Sequence, residues 1–184
     1  MKTYTWKEAF EDSLQGAKAG DPLSQNFVGY CYDVGRGVRR DEKVARRWYE
    51  KAARQGQIDA IYNLALINDQ GLGIKRNASR AARLYRQAAL RGDLQSQANL
   101  AVMLLDGDGV KKDTTAGLRW LRRAAQRGDA RAQYNLGRAY VNGEDLKRNI
   151  GHARKWLVKA TKSGHAKARR LLKSLNKKHS NRAR

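Results

Sequence analysis

The stretch LRWLRRAAQRGD, residues 118–129, ends on a glycine and an aspartate that belong to a longer pattern. A glycine stands every 36 residues on either side of Gly128, with no insertion or deletion between the copies. These glycines are Gly20, Gly56, Gly92, Gly128 and Gly164. A fixed period of this length indicates an array in which one supersecondary unit recurs. The sequence therefore predicts four complete repeats.

Each repeat is predicted to be a pair of helices, because small and apolar residues recur at helical spacing twice within it. In the third repeat they are Ser96, Leu100, Ala101 and Leu104 in the first helix, and Ala116, Trp120, Leu121, Ala124 and Ala125 in the second. An Asp or Asn begins every second helix, at Asp41, Asn77, Asp113 and Asn149. Such side chains accept hydrogen bonds from the first amides of a helix, so we predict N-caps here and glycine C-caps at the repeat boundaries.

The loop between the two helices, GDGVKKD at residues 107–113, resembles a phosphate-binding loop when it is taken alone. A nucleotide-binding glycine loop follows a strand and normally occurs once in a fold, whereas this loop recurs between helices in every repeat. We therefore interpret it as a tight turn. The first glycine is present in all four copies, but Asp145 replaces the second glycine in the fourth, where we expect the turn to differ.

The two ends are predicted to cap the array. Thr5 and Glu8 form a capping box that opens a helix running to about Ala19, in the position of a second helix. After Gly164 a single further helix is expected, and from about Lys177 the chain is polar and basic and is expected to fray. The predicted organisation is a capping half repeat at 1–20, repeats at 21–56, 57–92, 93–128 and 129–164, and a capping helix with a basic tail at 165–184.

The repeated columns carry a family resemblance. AQYNLGRAYVNG (132–143), GDGVKKD and LRWLRRAAQRGD resemble the Sel-one-like repeat, a helix-pair unit of the tetratricopeptide superfamily, and the likeness covers roughly residues 20 to 164. This resemblance implies an all-α fold, a right-handed α-solenoid whose first helices line a concave face. It also implies a bacterial adaptor or scaffold that catalyses nothing. Departures are local, such as Ile74 and Leu146 in place of the usual valine.

Composition limits the other function classes. The lone cysteine, Cys31, cannot form an internal disulfide, and we expect a cytoplasmic protein without a membrane span. No catalytic motif is present, and His152, His165 and His179 lack metal-ligand spacing, so we expect no enzyme activity, cofactor or metal. Trp48, Trp120 and Trp156 share a column with Leu84 and are interpreted as core residues rather than as stacking platforms.

The net charge of +22, from 39 basic and 17 acidic residues, predicts an acidic partner. Paired basic residues recur in every turn and would form a row, which we call the basic edge. Its members are Arg39, Arg40, Lys75, Arg76, Lys111, Lys112, Lys147 and Arg148. This edge suits an acidic protein or peptide, and nucleic acid is the alternative.

The predicted concave face carries polar and aromatic residues of the first helices. The candidates for partner binding are Tyr30, Tyr62, Asn63, Gln95, Asn99, Arg131, Tyr134, Asn135 and Arg138. Repeated asparagines suit recognition of an extended peptide main chain, yet they could equally tie adjacent helices together. The leading hypothesis is a monomeric interaction module, in its narrower form an inhibitor or immunity-type protein, that binds an acidic protein through this face and the basic edge. Nucleic acid remains the alternative partner, and a membrane ranks last.

Overall fold

The computed structural model describes residues 5–180, and within them every regular element is an α-helix. The helices are α1 (Trp6–Ala19), α2 (Pro22–Val34), α3 (Glu42–Arg54), α4 (Ile58–Gln70), α5 (Ala78–Leu90), α6 (Leu94–Asp106), α7 (Thr114–Gln126), α8 (Ala130–Asn142), α9 (Ile150–Lys162) and α10 (Ala166–Ser180). The even-numbered helices are the first helices of the repeats, and the odd-numbered helices from α3 to α9 are the second.

The predicted N-caps are confirmed. Thr5 and Glu8 form both hydrogen bonds of the capping box at the start of α1. At the second helices the side chain of Asp113 accepts a hydrogen bond from the amide of Ala116 at 2.9 Å, and Asn149 does the same for His152. Because each cap satisfies an amide that the helix itself leaves unpaired, it fixes where the second helix begins.

The predicted glycine C-caps are also confirmed, since all five repeat-boundary glycines have positive φ. Gly56 illustrates the geometry: with φ at 84°, it turns the chain so that the amide of Gln57 donates to the carbonyl of Ala52 at 3.1 Å. This bond satisfies a carbonyl at the end of α3. The next first helix starts two residues after the glycine, so the cap geometry fixes the short connection between successive repeats.

The chain divides into an N-terminal unit (residues 1–93, α1–α5) and a C-terminal unit (residues 94–184, α6–α10). In the N-terminal unit α2 packs on α3 and α4 on α5, around a core that includes Val28, Tyr49 and Leu64. In the C-terminal unit α6 packs on α7 and α8 on α9, around Leu121 and Leu136. Each unit thus has its own apolar core.

Close packing of the two helices of a repeat depends on a column of small residues: Gly29, Ala65, Ala101 and Gly137. A Cβ atom added to Gly29 would lie 2.8 Å from the ring of Tyr49, and one added to Gly137 would lie 2.8 Å from Leu157. Both distances are below van der Waals contact. The second helix therefore packs directly on the backbone of the first.

The turn of the fourth repeat differs, as expected from Asp145. In the first three repeats two successive amides donate to one helix carbonyl, for example those of Gly107 and Asp108 to Met103. In the fourth, within the described residues, the amide of Gly143 bonds to Ala139 but the following amide makes no such bond. No non-glycine residue of the described chain has positive φ, so Asp145 does not reproduce the glycine geometry.

The C-terminal helix is longer than expected. α10 continues to Ser180, so the prediction that the chain frays from about Lys177 is wrong for residues 177–180. Lysine has a high helix propensity, and this allows the basic sequence to extend the helix. Residues 181–184, the end of the predicted basic tail, lie outside the described residues.

Side-chain hydrogen bonds join successive repeats near the repeat glycines, and we call this contact the clasp. The Nε2 of Gln55 donates to the carbonyl of Gly20 and to Oε1 of the buried Gln25, both at 2.9 Å. One repeat later, Arg91 donates to the carbonyl of Gly56 at 2.8 Å. In the last repeat the equivalent residue is Ser163, whose side chain is too short for this reach.

The missing clasp leaves a buried acceptor without a donor. Gln133 occupies the position of Gln25, and its Nε2 donates to Ala125 as Gln25 donates to Ala17. Its Oε1 is buried and has no hydrogen-bond partner among the described residues. A buried acceptor without a donor costs about 1 to 3 kcal/mol.

Substitution of Ser163→Gln is expected to raise the free energy of unfolding by about 1 kcal/mol, because the new amide can donate to Gln133 Oε1 as Gln55 does to Gln25. Urea unfolding followed by circular dichroism measures the change, and Ser163→Ala serves as the control with no added donor. The gain should vanish in a Gln133→Met background. An equal gain in both backgrounds would show that Gln133 is not the acceptor.

Candidate partner-binding surfaces

The first helices of the C-terminal unit enclose a groove of about 610 Å³. Its walls come from α6, the length of α8 and the start of α10. The lining residues are Val102, Asp106, Arg131, Tyr134, Asn135, Arg138, His165, Ala166 and Lys167. Four of the predicted concave residues, Arg131, Tyr134, Asn135 and Arg138, are therefore brought together in one concave surface.

Helical spacing explains this grouping, since residues three, four and seven apart on α8 lie on one side of the helix. Arg131 begins the row, and its Nη2 donates to Oδ1 of Asn99 on α6 at 3.0 Å. That bond joins two first helices and holds the guanidinium at the groove wall. Arg138, one turn beyond Asn135, is exposed and makes no hydrogen bond or ion pair within the described residues.

His165 forms the end of the groove at α10. Its Nδ1 accepts a hydrogen bond from the amide of Ala168 at 3.2 Å, so the imidazole caps this helix. Its ring also stacks on Tyr134, with centroids 4.7 Å apart and an interplanar angle of 20°. An imidazole that accepts at Nδ1 carries its proton on Nε2, and this places a donor at the groove wall.

The groove has mixed charge. Arg138 and Lys167 provide exposed cations, while Asp106 lies on the same surface. An adjoining cavity of about 210 Å³ shares Arg138 and Asp106 and adds Glu144 and Asp145. Guanidinium and ammonium groups suit carboxylates, and the acidic residues beside them suit a ligand that also carries donors or a positive charge.

The remaining concave candidates take structural positions. In the N-terminal unit, Tyr30 packs half-buried against the core clusters, and Tyr62 lies 6.2 Å from the ring of Tyr85. Asn63 donates to Asn26 at 3.2 Å, which links α4 to α2. In the C-terminal unit Gln95 is exposed and outside the groove, while Asn99 is only 8% exposed. The Asn63–Asn26 and Arg131–Asn99 bonds agree with the interpretation that these amides tie adjacent helices together.

In the first, second and fourth turns, the two basic residues have different environments. The second of the pair folds back over the turn: Arg40, Arg76 and Arg148 each donate from Nε to a carbonyl seven residues earlier, at 2.8, 2.6 and 3.3 Å. Burial raises the pKa of Asp33 next to Arg40, and the charge of Arg40 opposes that rise. The second residue of the pair therefore stabilises the end of the first helix.

The first basic residue of each pair is exposed and makes no hydrogen bond or ion pair in the described part of the chain. These residues are Arg39, Lys75, Lys111 and Lys147. In the C-terminal unit their charge is locally offset. Residues 106–113 contain three acidic and two basic side chains, and residues 144–148 contain two of each. The basic edge in this unit thus carries little net charge.

The tryptophan column is half-buried rather than fully buried. Trp120 and Trp156 pack against the core cluster of α6, α7 and α8, which confirms the predicted packing. Their exposed sides are covered by cations: Arg123 lies 5.6 Å from the Trp120 ring centroid and Lys159 lies 4.7 Å from that of Trp156. Trp48 has the same arrangement with Lys51.

Five of the nine groove residues were not predicted from the sequence as binding residues, and His165 and Lys167 are among them. Lys167 stands 36 residues after Arg131, in the column of Gln95, so the repeat period could have identified it. His165 occupies the column of the N-caps Asp21 and Asp129. Its stacking on Tyr134 had no sequence signal, because it depends on how α10 packs beside α8.

Comparison with known proteins agrees with this architecture. The sequence profile of the Sel1 repeat family matches residues 22–57, 58–93, 94–129 and 130–165. The predicted fold class, an all-α solenoid, and the family resemblance are thereby confirmed. The chain spans only 7% and 6% of the lengths of two curated relatives that it matches.

Two of the solved structures with the same fold are more than 30% identical in sequence to this chain. A Sel1 repeat protein from Oxalobacter formigenes is 32% identical with a TM-score of 0.83, over 91% of this chain and 66% of that chain. A protective antigen of uropathogenic Escherichia coli with an SLR fold is 35% identical with a TM-score of 0.81, over 86% and 34% of the two chains. An immunity protein from Pseudomonas aeruginosa is similar in fold alone, at 21% identity and a TM-score of 0.59 over 89% and 60%.

No helix among the described residues has the length and apolar character needed to cross a membrane.

The two residues of a basic pair are expected to differ in their effect on stability. Arg76→Gln should lower the free energy of unfolding by about 1 kcal/mol, because it removes the bond to the Asp69 carbonyl. Lys75→Gln removes the same charge and should change it by less than about 0.5 kcal/mol. Urea unfolding of the two variants measures the difference, and equal losses would contradict the assignment of roles.

Proposed function

Because the chain belongs to the Sel1 repeat family, whose members generally mediate protein–protein interaction, we propose that it is a non-enzymatic interaction module that binds an acidic segment of a partner protein. The proposed site is the groove of the C-terminal unit between α6, α8 and α10. The partner segment would lie along α8, with its carboxylates toward Arg138 and Lys167.

The observation that carries this proposal is the grouping, in one concavity, of an aromatic wall with exposed cations that make no ion pair within the described residues. Arg138 and Lys167 are exposed, and Tyr134 and His165 provide a stacked surface beside them. A guanidinium in a concave setting binds a carboxylate through two hydrogen bonds, and an aromatic wall adds apolar contact at low entropic cost. Asp106 in the same groove favours a peptide of mixed charge over a uniform polyanion.

The groove has a volume of about 610 Å³, within the range of sites that enclose a few side chains. We therefore assign it a short acidic segment with one or two anchoring residues. The basic edge is proposed to steer the encounter, and the exposed parts of Tyr30, Tyr62 and Asn63 are proposed as secondary contacts. Steering by charge raises the association rate more than it raises affinity.

A narrower form of the proposal is an inhibitor or immunity-type protein that neutralises an effector. The fold similarity to an immunity protein supports this form only at the level of architecture. A bacterial, cytoplasmic and monomeric adaptor is part of the same proposal, and the single cysteine in the sequence supports the reducing setting. The effector would present an acidic surface to the protein, because complementary charges steer encounter and suppress wrong partners.

Loss of the groove cations should release the partner. Arg138→Gln with Lys167→Gln is expected to weaken binding of an acidic segment by about tenfold or more, because each substitution removes a charged donor. Arg122→Gln with Lys177→Gln removes the same charge outside the groove and serves as the matched control. Nuclease-treated affinity capture identifies candidate segments, and titration of synthetic peptides from them measures Kd for the three proteins.

The proposal fails if no captured protein depends on the groove cations, or if the segments that bind carry no excess of acidic residues. It also fails if the control pair weakens binding as much as the groove pair, since binding would then report net charge alone.

A further inference from the structure

The positive charge of the protein is distributed unevenly between its units. Residues 1–93 contain 17 basic and 11 acidic residues, whereas residues 94–184 contain 22 basic and only 6 acidic residues. Those six are Asp106, Asp108, Asp113, Asp129, Glu144 and Asp145. All of them lie at helix ends or in turns, where two act as N-caps. The unbalanced charge of the C-terminal unit therefore lies on its helices.

The second helices of this unit, α7 and α9, carry seven of its 22 basic residues. α7 and α9 contain no acidic residue along their lengths. Their exposed cations are Arg119, Arg122, Arg123, Lys155, Lys159 and Lys162. None of these makes an ion pair within the described chain. We call this surface, formed by the exposed residues of α7 and α9, the second-helix face.

A basic–tryptophan–basic pattern repeats on this face. Arg119, Trp120 and Arg123 on α7 correspond to Lys155, Trp156 and Lys159 on α9, 36 residues later. Both indoles pack into the same core cluster, so the two triplets lie on neighbouring second helices. The face therefore presents the same charged element twice.

The indoles hold two of these cations in place. Arg123 and Lys159 lie over the rings of Trp120 and Trp156 at 5.6 and 4.7 Å. A long basic side chain that is already packed on an aromatic ring loses less conformational freedom when it meets an anion. The face is thus organised for anion binding before any ligand arrives.

The N-terminal unit provides an internal contrast. On α3, Glu50 stands in the column of Arg122, where it is 3.9 Å from Arg46 and 3.6 Å from Arg80 on α5. Its carboxylate thus pairs with two of the cations on the second helices of that unit. In the C-terminal unit the same column holds Arg122 and Val158, so the corresponding face has no internal counter-charge.

We propose that the second-helix face of the C-terminal unit binds the phosphate backbone of nucleic acid without base specificity. A surface that repeats one cationic element, on helices without an acidic residue, fits a polymer that carries a negative charge on every unit. Val158 is the only large apolar side chain exposed on these two helices, at 39%, which is too little apolar surface to insert into a lipid bilayer. This site is separate from the groove, which lies between the first helices.

Salt dependence of binding tests the proposal directly. A labelled 20-nucleotide single-stranded RNA is titrated with the full chain by fluorescence anisotropy from 50 to 200 mM salt. The wild-type protein should show a linear decrease of log K with log salt. Each phosphate contact contributes about 0.7 to the slope on single-stranded nucleic acid. Arg119→Gln with Lys155→Gln should reduce the slope by about 1.4 and weaken binding roughly 25-fold at 0.1 M salt.

A matched control distinguishes binding at this face from a general effect of the protein's net charge. Lys111→Gln with Lys147→Gln removes the same charge from the turns of the same two repeats and should leave the slope within about 0.5 of the wild-type value. The groove pair Arg138→Gln with Lys167→Gln should also retain RNA binding, so failure of this inference and failure of the proposed peptide site can be told apart. Circular dichroism confirms that each variant is folded.

Several outcomes would overturn the inference. One is a wild-type protein that does not retain RNA at 50 mM salt, and another is equal loss in the turn control. Competition by polyglutamate at the same charge concentration as effectively as by RNA would assign the face to acidic protein. Tighter binding to phosphatidylserine vesicles than to RNA would assign it to membrane.

Discussion

Each repeat depends on the close approach of its two helices at a column of small residues, which are glycine in the first and fourth repeats and alanine in the second and third. Where Gly29 faces Tyr49 and Gly137 faces Leu157, a single added carbon would meet the partner side chain below van der Waals distance. The second helix can therefore bury residues such as Leu121 and Leu157 fully, while its opposite side remains in solvent. The exposed positions of α7 and α9, including the cations beside the tryptophans, follow from that orientation.

Packing also divides the basic side chains into those that stabilise the fold and those that are exposed to a partner. An arginine such as Arg148 bonds a carbonyl at the end of its own first helix and is held by the turn. Lys111 and Lys147 project from turns that also contain carboxylates, so their field is partly cancelled. By contrast, the helix bodies of the C-terminal unit hold cations without acidic neighbours. The net charge that a partner would meet on a given surface therefore differs from the net charge of the whole sequence.

Two surfaces of the C-terminal unit then have different chemistry. The groove between the first helices combines cations, an aromatic stack and carboxylates, which suits a short peptide of mixed charge. The second-helix face is uniformly cationic and repeats with the helices, which suits a polyanion. The groove is lined by α8 and α10, and the second-helix face by α7 and α9. The two proposed sites therefore use different helices of the same repeats and can be tested separately.

The sequence alone determined the features that arise from local interactions. The caps at Asp113 and Asn149, the left-handed glycines and the helix pair follow from the nearest few residues, and the 36-residue period makes each of them visible several times. Only the tertiary structure decided which side chains are available. It showed Asn99 buried under Arg131, His165 stacked on Tyr134, and Trp120 half-covered by Arg123. Such contacts depend on the packing of helices and on the side-chain directions that this packing allows, and neither is encoded in residue spacing.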